Sequence, residues 1–378
     1  MHTWLWQHPD WTTRLRWDAA RLLPVLAAAR RAQGRLLGRA DALELGLGEH
    51  RARTLVQEAV TTSAVEGEHL DPDVVRSSVA RRLHLPTAGL PAVQRATDGL
   101  VEALLHATQG ADEPLTAARL QGWQAALFPT GFSGMRRVTV GAWRTDSAPM
   151  QVVSGREGRE RVHFEAPPAA QVSAEMARFL LWWEHWAASM DGLLRAGLAH
   201  LWFVTVHPFD DGNGRVARVL TEHALARDEG TAVRLYSPSA RILQERAPYY
   251  AALEAAQRGD GEVTDWLAWF VGCLHRAIED AEQGIDGVLD RARFWQAHAG
   301  LSLGPRQRKV VERLLLAGRE GFEGGLTTRK YVALTGASRA TAQREIAELL
   351  DAGLLTRLPG GGRSTRYALV WDDHPATS

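Results

Sequence analysis

The chain contains 378 residues, a length that predicts two or three domains. Its 44 basic and 44 acidic residues give a formal net charge of zero, so the chain as a whole does not attract nucleic acid or a membrane surface. The single cysteine, Cys273, excludes an internal disulfide and a cysteine-based zinc site, and no apolar run reaches the length of a membrane span. Because residues 1–4 do not begin a secretory signal, we expect a cytoplasmic protein.

The first 126 residues mostly show the apolar spacing that predicts α-helix. Residues 1–17 are rich in tryptophan and predict an extended lead-in that anchors the chain. Asp71 and Pro72 predict the start of a helix, with aspartate as the N-cap and proline in the first helical position. The helices predicted in this part of the chain are 22–47, 49–65, 72–83, 93–107 and 115–126.

Residues 131–168 interrupt the helical pattern with glycines, arginines and short β-prone pieces. One such piece is 138–140. Two more, 151–153 and 161–164, flank a glycine-containing turn at 154–158, which predicts a β-hairpin or flap. From residue 170 to about 285 the pattern is helical again, with breaks at 207–212 and near 229–238, and a helical connector is predicted over 286–303.

The last part of the chain, 304–371, carries twelve Arg and Lys residues against six Asp and Glu residues. A short helix, a turn, a second helix that begins after the N-cap Ser338, and a hairpin around 359–363 predict a winged-helix domain. The residues expected to project from its second helix and hairpin are Arg339, Thr341, Arg344, Arg363 and Arg366. They suit DNA, but winged helices also serve in protein recognition and dimerisation, and the sequence leaves both alternatives open.

The segment 206–218 concentrates groups that bind phosphate. Gly212, Asn213 and Gly214 form a tight turn, and the backbone N–H groups at the start of the helix that follows form a concave anion site. Arg215 and Arg218 share one face of that helix, and the planar fork of arginine suits phosphate oxygens.

Two more side chains of this segment suit metal and acid–base chemistry. Asp211 lies at the edge of the anion site, where a carboxylate beside bound phosphates is a typical ligand of Mg²⁺. His207 precedes the turn, and an imidazole with an ordinary pKa of about 6.5 suits a general base for a hydroxyl nucleophile. The segment therefore predicts phosphoryl or nucleotidyl transfer.

The run HPFDDGNGRVAR, residues 207–218, resembles the Fic-family signature His-x-Phe-x-(Asp/Glu)-Gly-Asn-Gly-Arg-x-x-Arg at every fixed position. The resemblance implies a mainly α-helical core with a β-hairpin flap that aligns the target by strand addition. It also implies an enzyme that moves AMP from ATP to a Ser, Thr or Tyr hydroxyl of a target protein. The tryptophan-rich opening resembles the N-terminal segment of a bacterial Fic subgroup.

The resemblance assigns a role to each matching residue. His207 would deprotonate the hydroxyl, and Asp211 would hold Mg²⁺. The residues that would cradle the phosphates are Gly212, Asn213, Gly214 and Arg215, with Arg218 on the γ-phosphate. Tyr249 and Tyr250 lie where the family closes its site, and contact with the adenine and plain core packing stay open as alternatives for them.

Residues 62–67 resemble the family's inhibitory motif, (Ser/Thr)-x-x-x-Glu-(Gly/Asn). Thr62 and Glu66 are four residues apart and share one helix face. The resemblance implies that Glu66 pairs with Arg218 and occupies the position of the γ-phosphate. In some relatives the same glutamate supports the removal of AMP.

The sequence thus predicts an N-terminal helical region with an inhibitory helix (1–110), a Fic catalytic core (111–285), a helical connector (286–303) and a winged-helix domain (304–371). The predicted function is that of a protein adenylyltransferase inhibited by its own Glu66. Alternatives are transfer of another phosphate-containing group, removal of AMP, or a nucleotide-sensing regulator that binds DNA. The target protein, the modified residue, the signal that relieves inhibition and the choice between monomer and homodimer are not determined.

Overall fold

Helices make up most of this computed structural model, which describes residues 4–42, 47–87, 89–154, 161–185, 189–318, 322, 324–359 and 365–371. The strands in the described residues form three two-stranded antiparallel pairs. The predicted mainly α fold with a hairpin flap is therefore confirmed. The chain divides into two compact units, Met1–Ala281 and Glu282–Ser378, while the finer domain boundaries predicted from the sequence stay predictions.

The helices that begin in the first unit start and end where the apolar spacing predicts, to within a few residues in most cases. They are α1 Ala19–Ala42, α2 Leu47–Val65, α3 Pro72–Arg82, α4 Arg95–Gln109, α5 Ala117–Leu127, α6 Ala169–His185, α7 Gly192–Val206, α8 Asn213–Glu229, α9 Pro238–Gln244, α10 Arg246–Arg258 and α11 Thr264–Ala297. Helix α3 begins as predicted, because the Asp71 carboxylate accepts a hydrogen bond from the backbone N–H of Asp73 at 2.8 Å. Among the described residues, no helix has the length and apolar character needed to cross a membrane.

Helices α7 and α8 pack against each other at the centre of the first unit. Every residue of α7 is buried, and so is most of α8 up to Ala226. A helix that is covered on all sides belongs to the interior of a domain. The loop 207–212 joins these two helices, and its two ends are therefore fixed by the core.

The tryptophan-rich opening is not the extended segment that the sequence predicts. It contains two short 3₁₀ helices, Leu5–Gln7 and Trp11–Arg14. Trp4 and Trp11 are buried, and the indole N–H of Trp11 donates to the Glu175 carboxylate at 3.2 Å. The compact turns carry the rings to their places in the core, where the Trp11 indole gains a partner for its N–H group.

The predicted strand 138–140 is also wrong. The nearby strands are instead β1 Phe132–Ser133 and β2 Arg136–Arg137. The backbone N–H of Thr139 donates to the Asp210 carboxylate, in the loop 207–212, at 2.9 Å. A donor used in this way is not available to a neighbouring strand.

The predicted hairpin is present as β3 Gln151–Ser154 and β4 Arg161–Glu165. Gln151 pairs with Glu165 and Val152 with Phe164, and the register becomes irregular after Val152. The turn predicted at 154–158 lies mostly outside the described residues.

The second unit follows the element order of a winged helix. Its elements are α12 Pro305–Leu316, α13 Thr328–Thr335, α14 Arg339–Asp351, β5 Leu355–Arg357 and β6 Tyr367–Leu369. Gly336, at φ +69°, ends α13, and the Ser338 hydroxyl caps α14 by accepting from the N–H of Thr341 at 3.1 Å. Leu326 adds an isolated bridge beside Tyr367, as a third strand position. Arg363 lies outside the described residues.

Candidate active site

The loop between α7 and α8 is held in one conformation by the side chain of Asn213. Its amide oxygen accepts from the backbone N–H of Phe209 at 2.9 Å, and its amide nitrogen donates to the carbonyl of Phe209 at 2.8 Å. Phe209 is fully buried against Trp143. His207 at φ +51° and Gly212 at φ +85° take left-handed backbone conformations at the two ends of the loop. The core thus orders the segment that presents the predicted site residues.

The start of α8 carries two buried arginines with hydrogen-bonding capacity left over. Arg215 and Arg218 are 7% and 1% exposed. Among the described residues, the buried Nε of Arg215 and one terminal nitrogen of Arg218 have no hydrogen-bond partner. A buried donor without a partner is costly, so these groups fit an anion such as a phosphate.

His207 is half-buried, lines the cavity described below, and is suited to accept a proton. Burial lowers the pKa of His207 to about 4, a hydrogen bond to the Val204 carbonyl opposes this change, and the nearby charge of Arg144 adds to it. The ring is therefore neutral at pH 7. Because Nδ1 lies 3.3 Å from the Val204 carbonyl, which can only accept, we assign the proton to Nδ1. Nε2 is then the unprotonated nitrogen.

Asp211 lies beside the anion site, with about a third of its side chain exposed. One of its oxygens accepts from the N–H of Gly212 at 2.6 Å, and its carboxylate is 3.8 Å from Arg136 and 4.0 Å from Arg215. No group of three or more His, Cys, Asp or Glu side chains in the described part of the chain could hold a metal. A single carboxylate fits Mg²⁺ when substrate phosphates complete the coordination, which is the usual arrangement for this ion.

A cavity of about 640 Å³ opens beside His207 and Gly214. Its volume lies within the range of small-molecule binding pockets. Residues from the loop, the start of α8, the flap, α10 and the turn after α2 line it, among them Glu66, Phe164, His207, Gly214, Tyr249 and Tyr250. The fold therefore brings the predicted base, part of the glycine turn and the predicted inhibitory glutamate to one pocket.

The two tyrosines differ in their surroundings. Tyr249 is 2% exposed, and its hydroxyl lies 2.8 Å from Nε2 of His200. Nδ1 of His200 lies 3.0 Å from the hydroxyl of Thr221, which donates to the carbonyl of Ala217. Burial lowers the pKa of His200 to about 3, so this chain of hydrogen bonds contains a neutral imidazole. Tyr250 is 38% exposed. Tyr249 is thus tied to the core, whereas Tyr250 is the more accessible of the two.

Thr62 and Glu66 both contact Arg218. Nε of Arg218 donates to the Thr62 hydroxyl at 2.6 Å, and a terminal nitrogen donates to the Thr62 carbonyl and to the Glu66 carboxylate, each at 2.8 Å. A Cβ atom on Gly214 would collide with that carboxylate, so glycine is needed for its approach. Burial opposes the charge of Arg218, but Glu66, Tyr249 and Tyr250 together outweigh it, and the pKa of Arg218 lies above its ordinary value.

Three family models match the chain. The model described as "Fic/DOC family" matches residues 114–225, which include the whole loop and the start of α8. Residues 114–225 thus form a Fic domain. The model of a domain of unknown function, DUF4172, matches residues 4–85, and a model of the C-terminal domain of DIP2311-like transcriptional regulators matches residues 322–370. The region that matches the Fic model, which contains the loop 207–212, thus lies between two further matched regions.

Curated relatives resemble about a third of the chain. "Protein adenylyltransferase fic-1" of Caenorhabditis elegans is 33% identical over 134 residues, which are 35% of this chain and 24% of the relative. "Protein adenylyltransferase Fic" of Drosophila ananassae is 32% identical over 115 residues, 30% of this chain and 21% of the relative. The chain thus spans only about a quarter of the length of these relatives.

A solved structure resembles the chain over most of its length. The crystal structure of a Fic family protein from Desulfovibrio desulfuricans G20 gives a TM-score of 0.51 at 18% identity, and the match covers 93% of this chain and 98% of that one. At this identity the likeness concerns the fold.

Two residues at the Fic site were not found from the sequence. The carboxylate of Glu68 accepts from a terminal nitrogen of Arg215 at 2.7 Å. Arg144, which is buried, donates from Nε to the His207 carbonyl at 2.8 Å. Glu68 directly follows the inhibitory motif, and this proximity was the one available signal. Nothing in the spacing of Arg144, 63 residues before His207, indicates the contact.

Proposed function

We propose that the chain is a protein adenylyltransferase that transfers AMP from ATP to a hydroxyl group of a target protein. The observation that carries this proposal is that a neutral imidazole and Gly214 of the glycine turn line one pocket, while the helix that begins at this turn carries two buried, incompletely paired arginines. The names of the relatives, protein adenylyltransferases, support the same activity. We place the reaction in the cytoplasm.

In this reaction the hydroxyl oxygen of the target attacks the α-phosphorus of ATP. A bond forms between that oxygen and the phosphorus, the bond from the α-phosphorus to the bridging oxygen breaks, and pyrophosphate leaves. The hydroxyl proton passes to Nε2 of His207, which is neutral and therefore able to take it. The loop held by Asn213 provides positioning, which contributes much of the rate in transfers of this kind.

The phosphates bind at the start of α8. Backbone N–H groups around Gly212, Asn213 and Gly214 face the anion, and Arg215 and Arg218 supply positive charge. Asp211 would hold Mg²⁺, which when bound neutralises part of the phosphate charge. Tyr250 contributes the more accessible aromatic face to the nucleotide, and Tyr249 supports it from the core.

Glu66 acts as a brake in this proposal. It occupies Arg218, and the γ-phosphate needs the same guanidinium. Thr62 also accepts two hydrogen bonds from Arg218, one from Nε and one from the terminal nitrogen that Glu66 binds, so the arginine stays in place whether or not Glu66 is bound to it. Rotation of Glu66 away from Arg218 is therefore sufficient to free the site, and α2 need not leave.

The test is incorporation of label from α-labelled ATP into protein. Purified Glu66→Gly protein is mixed with a host lysate, and labelled proteins are identified by mass spectrometry, with Glu66→Gly/His207→Ala as the control. Label on protein only when His207 is present supports the proposal. Equal labelling with the control, or none with either variant, contradicts it. The added mass separates AMP from UMP, phosphocholine and phosphate, and incubation of the modified protein with wild type tests AMP removal.

We also propose that the second unit binds duplex DNA. The first two turns of α14 present Arg339, Gln343 and Arg344 to solvent. Arginine and glutamine are the side chains that most often read base edges when such a helix enters the major groove. Arg357 and Arg366 are exposed on the β5–β6 hairpin, where they suit phosphate contacts.

Fluorescence anisotropy with a labelled duplex of random sequence tests the DNA proposal. We expect log affinity to fall linearly with log salt, and Arg339→Ala/Arg344→Ala to weaken binding about tenfold or more. Arg76→Ala, which removes an exposed arginine of the first unit, serves as the matched control. Failure to bind at low salt contradicts the proposal and favours protein contact.

A further inference from the structure

A buried carboxylate on α2 has no part in the chemistry described so far. Glu58 is 3% exposed, although it belongs to the helix that leads to the inhibitory motif. It accepts hydrogen bonds from the hydroxyl of Ser237 at 2.6 Å, from the backbone N–H of Ser239 at 3.1 Å and from the hydroxyl of Ser239. An ionisable side chain this deeply buried needs such partners. Glu58 therefore joins α2 to the start of α9.

The position of Glu58 on the helix relates it directly to the brake. Glu58 and Thr62 are four residues apart on one face of α2, and Glu66 comes four residues later, directly after the helix ends at Val65, so that the three form a row. The first contacts α9, and the other two contact Arg218 of α8. Fixing the first residue of this row therefore limits both the rotation and the sliding of the helix that carries the other two.

A second contact, next to Glu66 at the end of the row, connects α2 with the lining of the pocket. The hydroxyl of Tyr250 lies 3.4 Å from the carbonyl of Val65, one residue before Glu66. Tyr250 belongs to α10, which follows α9 with only Glu245 between them. The same pair of helices thus touches α2 at Glu58 and next to Glu66.

We propose that Glu58 is a positioning residue that sets the register of α2 so that Glu66 reaches Arg218. The inference rests on the proposed brake and adds a second site at which the brake is controlled. Loss of the Glu58 contacts weakens the inhibitory contact indirectly, because the helix end can then shift while α8 stays fixed by the core. Glu58 touches neither the nucleotide pocket nor the reacting groups.

The experiment is a double-mutant cycle that measures autoadenylylation. Glu58→Ala in the wild-type background is expected to raise the initial rate at least about fivefold, since three hydrogen bonds to a charged group are lost. In the Glu66→Gly background the same change is expected to leave the rate within about twofold, because no inhibitory carboxylate remains to be positioned. Gln57→Ala, on the exposed side of the same helix, is the matched control and leaves the rate unchanged in both backgrounds.

Ser239→Ala gives a milder form of the same test, should Glu58→Ala not fold. It removes one of the hydroxyl donors and keeps the backbone contact, so a smaller rise that also depends on Glu66 is expected. A merely structural role predicts instead that these changes lower the rate in both backgrounds, and that result overturns the inference. A rise in Glu66→Gly without a rise in Glu58→Ala and Ser239→Ala overturns this inference alone, whereas no rise in Glu66→Gly overturns the brake itself.

Discussion

Glu66 and Glu68, two residues apart, form ion pairs with the two arginines of the site, Arg218 and Arg215. The two pairs are buried to different degrees. Glu66, whose side chain is 33% exposed, meets Arg218, whose side chain is 1% exposed. Glu68, whose side chain is 46% exposed, meets Arg215, whose side chain is 8% exposed. The distances are close, 2.8 and 2.7 Å, so the surroundings rather than the distance distinguish the two pairs.

The surroundings determine how strongly each pair can compete with a phosphate. Arg218 is held on its other side by the hydroxyl and carbonyl of Thr62, so Glu66 meets a fixed, desolvated guanidinium. Arg215 lies over the ring of Phe128, and its partner Glu68 stays largely in water. Exposed pairs are weak and salt-sensitive, whereas removal of one partner from a buried pair has large effects. We therefore expect the deep pair, Glu66 with Arg218, to be the main brake and the shallow pair, Glu68 with Arg215, to add to it.

The largest effect is expected from the deep pair. Glu66→Gly should raise the initial rate of AMP incorporation at least about tenfold, which corresponds to about 1.4 kcal/mol. The physical reason is that the phosphate no longer competes with a carboxylate for Arg218. Equal rates for wild type and this variant in the α-labelled ATP assay would contradict the assignment of the deep pair as a brake.

A smaller rise is expected from the shallow pair. Glu68→Gln should increase the same rate by less than about fivefold, because exposed ion pairs contribute about 1 kcal/mol or less. The measurement is the initial rate at subsaturating ATP, where a gain in phosphate binding is visible. A rise as large as that of Glu66→Gly would show that exposure does not separate the two contacts.

High salt should separate the effects of the two ion pairs further. Raising the ionic strength to about 1 M reduces the screening length to about 3 Å, so the ratio of the Glu68→Gln rate to the wild-type rate should approach one. The ratio for Glu66→Gly should fall less, since Arg218 is buried, although a third of the Glu66 side chain is exposed. Ratios are compared at each salt concentration because ATP binding itself depends on salt. Loss of both effects together would remove the distinction between the pairs.

The smallest change is expected from pH. Burial lowers the pKa of His207 to about 4, so its ring stays neutral from pH 8 to pH 6 and loses its function as a base only as the pH falls through about 4. The rate of Glu66→Gly should therefore vary less than about twofold between pH 8 and 6. A histidine with its ordinary pKa would instead give a fall with a midpoint near pH 6.5, and such a profile would contradict the neutral base.

The sequence alone was sufficient for the helical fold, the flap and the residues of the loop. The reason is that local rules govern these features: apolar spacing predicts helices such as α3, and a glycine turn before a helix predicts an anion site at Gly212. Thr62 and Glu66 could be placed on one face by their spacing, and the family resemblance then indicated Arg218.

The tertiary structure decided which groups meet and how deeply they are buried. The contacts of Glu68 with Arg215 and of Glu58 with Ser237 and Ser239 join residues that are 147 to 181 positions apart, and no local pattern relates them. The same holds for the 3₁₀ turns around Trp11 and for Thr139, where partners from distant segments override local preference. Local periodicity determines the elements of a chain, but burial, and with it the pKa of His207 and the depth of each ion pair, exists only after those elements have packed.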